Sequence, residues 1–122
     1  MLNDDNIQVE KLDSKSAVAK YHPDIAICSW MPYETDFTAD FRREKNLKEY
    51  ILIGETSGSC GDYWKTWGEH FYPKRFDFRK PPYEKEGFEH VDLTNISQYQ
   101  ICRTDDLGPE QPNSLTVSFR RK

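Results

Sequence analysis

No apolar run in this 122-residue chain approaches the roughly 18 residues a membrane span requires, so no membrane partner is expected. The start, Met1-Leu2-Asn3-Asp4-Asp5, lacks the basic opening and the apolar stretch of a secretory leader, and a cytoplasmic location is expected. Basic residues are in deficit, 17 Lys and Arg against 21 Asp and Glu, and they form no block. A net charge of −4 leaves no electrostatic footprint for nucleic acid. Cysteine is scarce and odd in number: Cys28, Cys60 and Cys102 are far apart with no C-x-x-C, which argues against a disulfide framework. No pair among His22, His70, His90 and these cysteines has a metal-ligand spacing, so buried thiols are expected rather than a metal site. Apolar residues reach 36%, under the roughly 45% usual for a globular domain, but aromatics at 14% each bury a large area. One thin-cored domain over residues 1–122 is the expectation.

What is present reads as α/β. Residues 24–30, Asp-Ile-Ala-Ile-Cys-Ser-Trp, and 50–54, Tyr-Ile-Leu-Ile-Gly, are continuous apolar runs bounded by Pro23, Pro32 and Gly54. Continuous rather than alternating runs are the pattern of strands covered on both faces in a parallel sheet. Between them, residues 36–49 are polar with Phe37, Phe41 and Leu47 spaced for a surface crossover helix, and Asp36 or Thr38 can cap its start. Residues 14–21 read as an earlier helix, and 7–12 alternate as a short half-exposed strand. Residues 63–71 place Trp64, Trp67 and Phe71 on one helical face. Residues 95–103 and 114–120 alternate as two closing strands, joined by a loop over 105–113 that suits an antiparallel hairpin.

This order, with the hairpin last, resembles the C-terminal half of a class I S-adenosylmethionine-dependent methyltransferase. Leu12-Asp13-Ser14 before a helix resembles the family's acidic position after its third strand. Residues 22–32, His-Pro-Asp-Ile-Ala-Ile-Cys-Ser-Trp-Met-Pro, resemble its fourth strand with the short apolar-proline motif at its end. Residues 49–55, Glu-Tyr-Ile-Leu-Ile-Gly-Glu, resemble its fifth. The likeness spans about residues 7 to 119 and rests on order and spacing. It implies a partial Rossmann-like sheet of parallel strands with helices, followed by a C-terminal antiparallel hairpin, and S-adenosylmethionine as cofactor. It implies Asp13 and Ser14 at the adenine, Ser29, Trp30 and Met31 as walls of the methyl donor, and Glu55 as the group that binds or deprotonates a small-molecule acceptor. Each position also has a plain structural reading: Asp13 as a helix cap, Trp30 as core.

The chain departs from the family in one large respect. The family grips its cofactor through a glycine-rich loop after the first strand. The glycines here, from Gly54 to Gly61, follow a later strand and do not have the G-x-G-x-x-G spacing. The chain therefore reads as starting at the third strand, a truncated or non-catalytic form without its N-terminal half. In the complete fold the first strand lies beside the fourth, so its loss would bare the 24–30 edge. Residues 7–12, a second copy in a homodimer, or a complementary N-terminal half could pair there. A protein-interaction module using that edge is the alternative function. A third reading takes Gly58-Ser59-Cys60-Gly61 as resembling the nucleophile turn of viral chymotrypsin-like cysteine proteases, with His70 or His90 as base; glycines placed for tight turns explain the same residues. The aromatic stretch 63–83, with Lys65, Lys74, Arg75, Arg79 and Lys80, is expected to pack as core or lid rather than bind single strands.

Overall fold

The computed structural model describes residues 8–56, 59–70, 79–100 and 114–122. The chain runs α1 (Ser14–Tyr21), β1 (Ile25–Ser29), α2 (Thr38–Arg43), β2 (Glu49–Glu55), a π-helical segment (Tyr63–Trp67), α3 (Pro82–Lys85), β3 (Phe88–Asp92), α4 (Thr94–Ser97) and β4 (Ser114–Arg121). The strands form an open mixed sheet in the order β1-β2-β4-β3. β1 and β2 are parallel, with Ile25 opposite Glu49 and Ser29 opposite Ile53. β4 is antiparallel to both β2 and β3, which makes β3 parallel to β2.

One sheet face carries the core. Tyr50, Leu52, Val117, Phe119 and Phe88 project from β2, β4 and β3, and Leu47, Phe41, Val18 and Trp67 close over them. Tyr50 stacks on Phe119 at 4.7 Å between ring centres, and Phe88 meets Tyr50 at 5.4 Å. Offset aromatic pairs of this kind add about 0.5–1.5 kcal/mol beyond the area they bury. Three large rings thus offset much of what a thin aliphatic content cannot supply.

The parallel pair, the first two helices and the closing antiparallel strand agree with the sequence reading; other expectations are corrected. Over residues 8–12 there is no strand. Val9 is 90% exposed, and Glu10 is instead held by Lys20 at 2.6 Å and by the Tyr21 hydroxyl, so this segment follows the end of α1. The helix expected over 36–49 stops at Arg43 because Leu47 drops into the core. Arg121 then takes the freed carbonyls of Glu44 (2.9 Å), Leu47 (2.8 Å) and Arg42 (3.3 Å). The helix expected over 63–71 is π-helical and ends at Gly68, which adopts φ 75°. The strand expected over 95–103 is a helical turn at Thr94–Ser97, and β4 pairs instead with Phe88–Asp92. That strand carries little apolar signal because, of the row opposite Arg121, Phe119 and Val117, only Phe88 is apolar and buried, while His90 and Asp92 are exposed. Residues 101–113, with the expected hairpin loop, lie outside the described residues.

Candidate functional site at the carboxyl ends of β1 and β2

In parallel α/β sheets, ligand sites form outside the carboxyl ends of the strands, where the connecting loops diverge. Here the loops after β1 and β2 are knitted together at that end. The Trp30 amide donates to the Ile53 carbonyl at 2.8 Å, which carries the parallel pairing one residue past β1. Tyr33 and Gly61 then form a further parallel bridge. The Gly61 amide reaches the carbonyls of Met31 and Pro32, both at 3.2 Å, and the Glu34 amide donates back to the Gly61 carbonyl at 3.0 Å. Gly61 has no substitute: its φ is 67°, and a Cβ there would lie 2.7 Å from the Thr66 hydroxyl.

The seam holds two non-glycine residues in the left-handed region, Trp30 at φ 55° and Glu34 at φ 58°. For a bulky residue such as Trp this is a true outlier, and strain of about 1–3 kcal/mol persists only where surroundings enforce it. The enforcing contact is the Trp30–Ile53 bond, and beside it Gly54 leaves room for Cys60, whose Sγ lies 3.0 Å from where a Gly54 Cβ would stand. The result is an exposed indole at the strand end, with the Tyr33 ring also exposed nearby in sequence.

A polar network fixes the loops from below. Asp36 Oδ1 takes the Thr38 amide (3.1 Å), the Thr38 hydroxyl (2.5 Å) and the Thr66 hydroxyl (3.1 Å). Thr66 in turn accepts from the Asp62 amide at 2.9 Å, and Asp62 Oδ1 caps the π-helical segment through Trp64 and Lys65 amides. Arg42, with a side chain only 2% exposed, donates to Thr38 (2.6 Å), to Glu86 (2.7 Å) and to the Tyr50 hydroxyl (3.4 Å). Burial pushes the Tyr50 phenol far above its ordinary range, and the nearby guanidinium only partly offsets this. Tyr50 is therefore a neutral phenol. Of the two expected caps of α2, neither holds the N-cap position, which is Phe37 without a side-chain cap bond, although Asp36 takes the Thr38 amide. Arg42 carried only its i+4 spacing from Thr38, a weak signal in a charged helix.

The named site residues fall into two groups. Ser29, Trp30 and Met31 leave the end of β1 beside Gly54 and Glu55 of β2. Ser29 and Trp30 are exposed, whereas Met31 is buried behind them with its sulfur facing the Phe37 amide at 3.4 Å. Glu55 is buried opposite Ser114, and strand alternation turns it to the face away from the Gly54–Cys60 contact. Asp13 and Ser14 open α1 at the end of the sheet where α2 begins, since Ser14 at the start of α1 meets Asp40 near the start of α2 and His22 past its end lies 3.5 Å from Glu44 past the end of α2. Asp13 is the cap of α1: Oδ1 accepts from the Ser16 amide (2.8 Å) and Oδ2 from the Ser16 hydroxyl (2.9 Å). The Ser16 amide holds the Asp13 carboxyl below the usual carboxylate range. Ser14 donates to Asp40 of α2 at 2.6 Å, which ties the starts of the two helices together.

The other candidates have clear places. Cys60 is buried in the core cluster, its carbonyl bonded by Trp67 Nε1 at 2.8 Å. Burial, with the neighbouring Cys60, raises the Cys28 thiol above its ordinary pKa and keeps it protonated. His70 stacks on Trp64 at 4.5 Å, and His90 meets Phe119 edge-on. Among the described residues no group of three His, Cys, Asp or Glu side chains is placed to hold a metal ion. No described helix is long and apolar enough to cross a membrane. Compared with known protein families, with curated proteins and with solved structures, the chain matches none.

Proposed function

We propose that this chain is the C-terminal part of an S-adenosylmethionine-dependent methyltransferase-like fold, and that the loops at the carboxyl ends of β1 and β2 form one side of its cofactor and acceptor site. The observation that carries this reading is the convergence of Ser29, Trp30 and Met31 with Gly54 and Glu55 on one end of a parallel strand pair, at the end where Asp13 opens α1. The antiparallel closure of the sheet by β3 and β4 supports it.

The residues fit the group unevenly. The Asp13 carboxylate, already capping α1 through Ser16, is exposed and acceptor-only, so an adenine amino group can donate to it from the solvent side. Trp30 offers an exposed indole face against which a planar or sulfonium-bearing ligand can lie. Met31 shapes the wall from behind. The cofactor, when bound, supplies an activated methyl group. Glu55 binds the polar group of a small-molecule acceptor or takes its proton, reached over the end of β2 rather than through the seam. The glycine-rich loop that grips the cofactor in the family has no counterpart in residues 1–122, so on this reading the chain alone binds the cofactor weakly.

Calorimetric titration with S-adenosylmethionine tests the reading. Heat that saturates, and that is lost in both Trp30→Gly and Asp13→Ala, is the expected result. Trp30→Gly removes the indole while accepting φ 55° without strain, so its loss of binding is not a folding defect. Absence of heat at millimolar cofactor removes the cofactor role from this chain.

A second reading, a protein-interaction module, is favoured by a separate observation. β1 is the edge strand of the sheet, and its Ile25 and Ile27 side chains are 52% and 66% exposed.

A further inference from the structure

The hydrogen-bond pattern of β1 defines its free side. Asp24 offers its carbonyl to the Lys48 and Glu49 amides, and the Trp30 amide reaches Ile53. Along the intervening parallel ladder the even-numbered residues therefore face β2. Ile25, Ile27 and Ser29 direct their amides and carbonyls the other way, and among the described residues no strand lies there. A row of unpaired backbone groups is a template for another strand.

Exposed edges in monomeric sheets usually carry a charge, a proline or a bulge that blocks such pairing. β1, Ile-Ala-Ile-Cys-Ser, has none of these, and its register with β2 is unbroken. The bordering charge, Asp24, is already matched by Lys48 at 3.3 Å. On β2 the half-buried Ile51 lies beside Ile27 and the half-buried Ile53 beside Ser29, while Glu49 stands beside Ile25, so from Ile27 onward the apolar surface continues from the edge onto the sheet.

We propose that this edge pairs with a second copy of itself, antiparallel about a two-fold axis at Ile27. This rests on the interaction-module reading and names its occupant. The self-match is what selects a second copy. With Ile27 on the axis, each copy sets Ile25 against Ser29 and Asp24 against Trp30, so no like charges meet. The outward groups fall in register: Ile27 exchanges both bonds with Ile27 of the second copy, and Ile25 exchanges both with Ser29 of the second copy. An isologous interface requires this kind of self-complementarity. The isoleucine patches of the two copies become one continuous strip across the joined sheets. A single short strand pair is smaller than the standard interface of about 800 Å² per partner, which makes the association weak and concentration-dependent.

Sedimentation velocity between about 1 µM and about 1 mM, with amide hydrogen exchange at both ends of that range, tests this. A dimer is expected at the upper end, with Ile25, Ile27 and Ser29 amides gaining protection as it forms. Ile27→Lys puts a charge on a two-thirds exposed side chain and is expected to give a monomer with unchanged far-UV circular dichroism. Ser29→Pro deletes one outward amide, which an edge strand tolerates, and is expected to do the same. A dimer that survives both variants, or whose β1 amides stay unprotected, overturns the proposal. So does a monomer throughout. In that last case fast exchange at these amides discards only the second copy as occupant. Concentration-independent protection shows the edge covered within the chain and sinks the interaction reading itself.

Discussion

Gly54→Ala puts a methyl group where the loop seam is tightest. The new Cβ would sit 3.0 Å from Cys60 Sγ and 3.2 Å from its Cβ. Cys60 has little freedom to retreat, because its carbonyl is held by Trp67 Nε1 at 2.8 Å and the following Gly61 amide is tied to Met31 and Pro32. Overpacking of this kind costs about 1–3 kcal/mol, while loss of a glycine from the unfolded chain returns about 0.4–1 kcal/mol. A net destabilisation of about 1–2 kcal/mol is expected, read as a lower urea midpoint at unchanged m value. Cys60→Ala alone forfeits a buried sulfur and leaves a small void, for about 1–2 kcal/mol. In the double variant the methyl added at position 54 occupies space that the sulfur vacates. The two costs should then fall short of their sum by about 1 kcal/mol or more, well outside the roughly 0.3–0.5 kcal/mol within which independent sites add. Additive costs, or a Gly54→Ala protein more stable than the wild type, would refute the argument that the glycine exists to admit the Cys60 side chain.

Two further outcomes follow from the polar network and the first helix cap. Arg42→Met strips the donors from Thr38, Tyr50 and Glu86 while keeping the stem volume, and should cost about 2–3 kcal/mol in urea unfolding because two of those partners are buried. Glu86→Gln should cost about 1 kcal/mol or less, since the Glu86 side chain is 47% exposed and water replaces much of what it gave; equal costs for the two variants would contradict this ranking. Asp13 has a depressed pKa in the folded chain, so its cap contributes fully above the ordinary carboxylate range near about pH 4 and is lost as pH falls through the depressed value. Helicity of α1, followed by amide chemical shifts in an acid titration, should fall in that window in the wild type and lose its acid dependence in Asp13→Asn, which still caps. A helix that strengthens on acidification contradicts the assignment.

Legibility of this fold tracked how far burial was written in residue type. The runs at 24–30 and 50–54 were unmistakable because both rows of each strand are apolar, and they form the parallel pair. β4 was legible from Leu115, Val117 and Phe119, whose partners Gly54, Leu52 and Tyr50 lie on the core face. β3 is hard to read in the sequence because, of the row on its core side, Phe88, His90 and Asp92, only Phe88 is buried, and His90 is held by ring contacts with Phe119 and Tyr83 rather than by hydrophobicity. The segment at 8–12 misled for the opposite reason. Its alternation was real, but alternation makes a strand only where a partner edge is available, and Glu10 found Lys20 and Tyr21 first. At the candidate site, positions set by strand ends were readable. The left-handed Trp30 and the buried Arg42 were not, because each depends on a residue far along the chain: the Ile53 carbonyl takes the amide of the first, and Glu86 holds the guanidinium of the second.

The continuous apolar pattern of β1 predicts cover on both faces and on both edges, as in the interior of a parallel sheet. The structure supplies one face, where Ala26 and Cys28 pack against the core, and one edge, where β2 lies. Ile25 and Ile27 are the residues left over, and they are the same residues whose backbone groups face outward. Among the described residues, side chain and main chain thus leave the same positions uncovered, one as exposed hydrocarbon and the other as outward-facing amides. A strand shaped only by the need to pack on β2 requires apolar residues at Ala26 and Cys28 alone. Isoleucine at positions 25 and 27 is explained by a neighbour that both covers the outer face and pairs with the edge, and a strand laid alongside β1 does both at once.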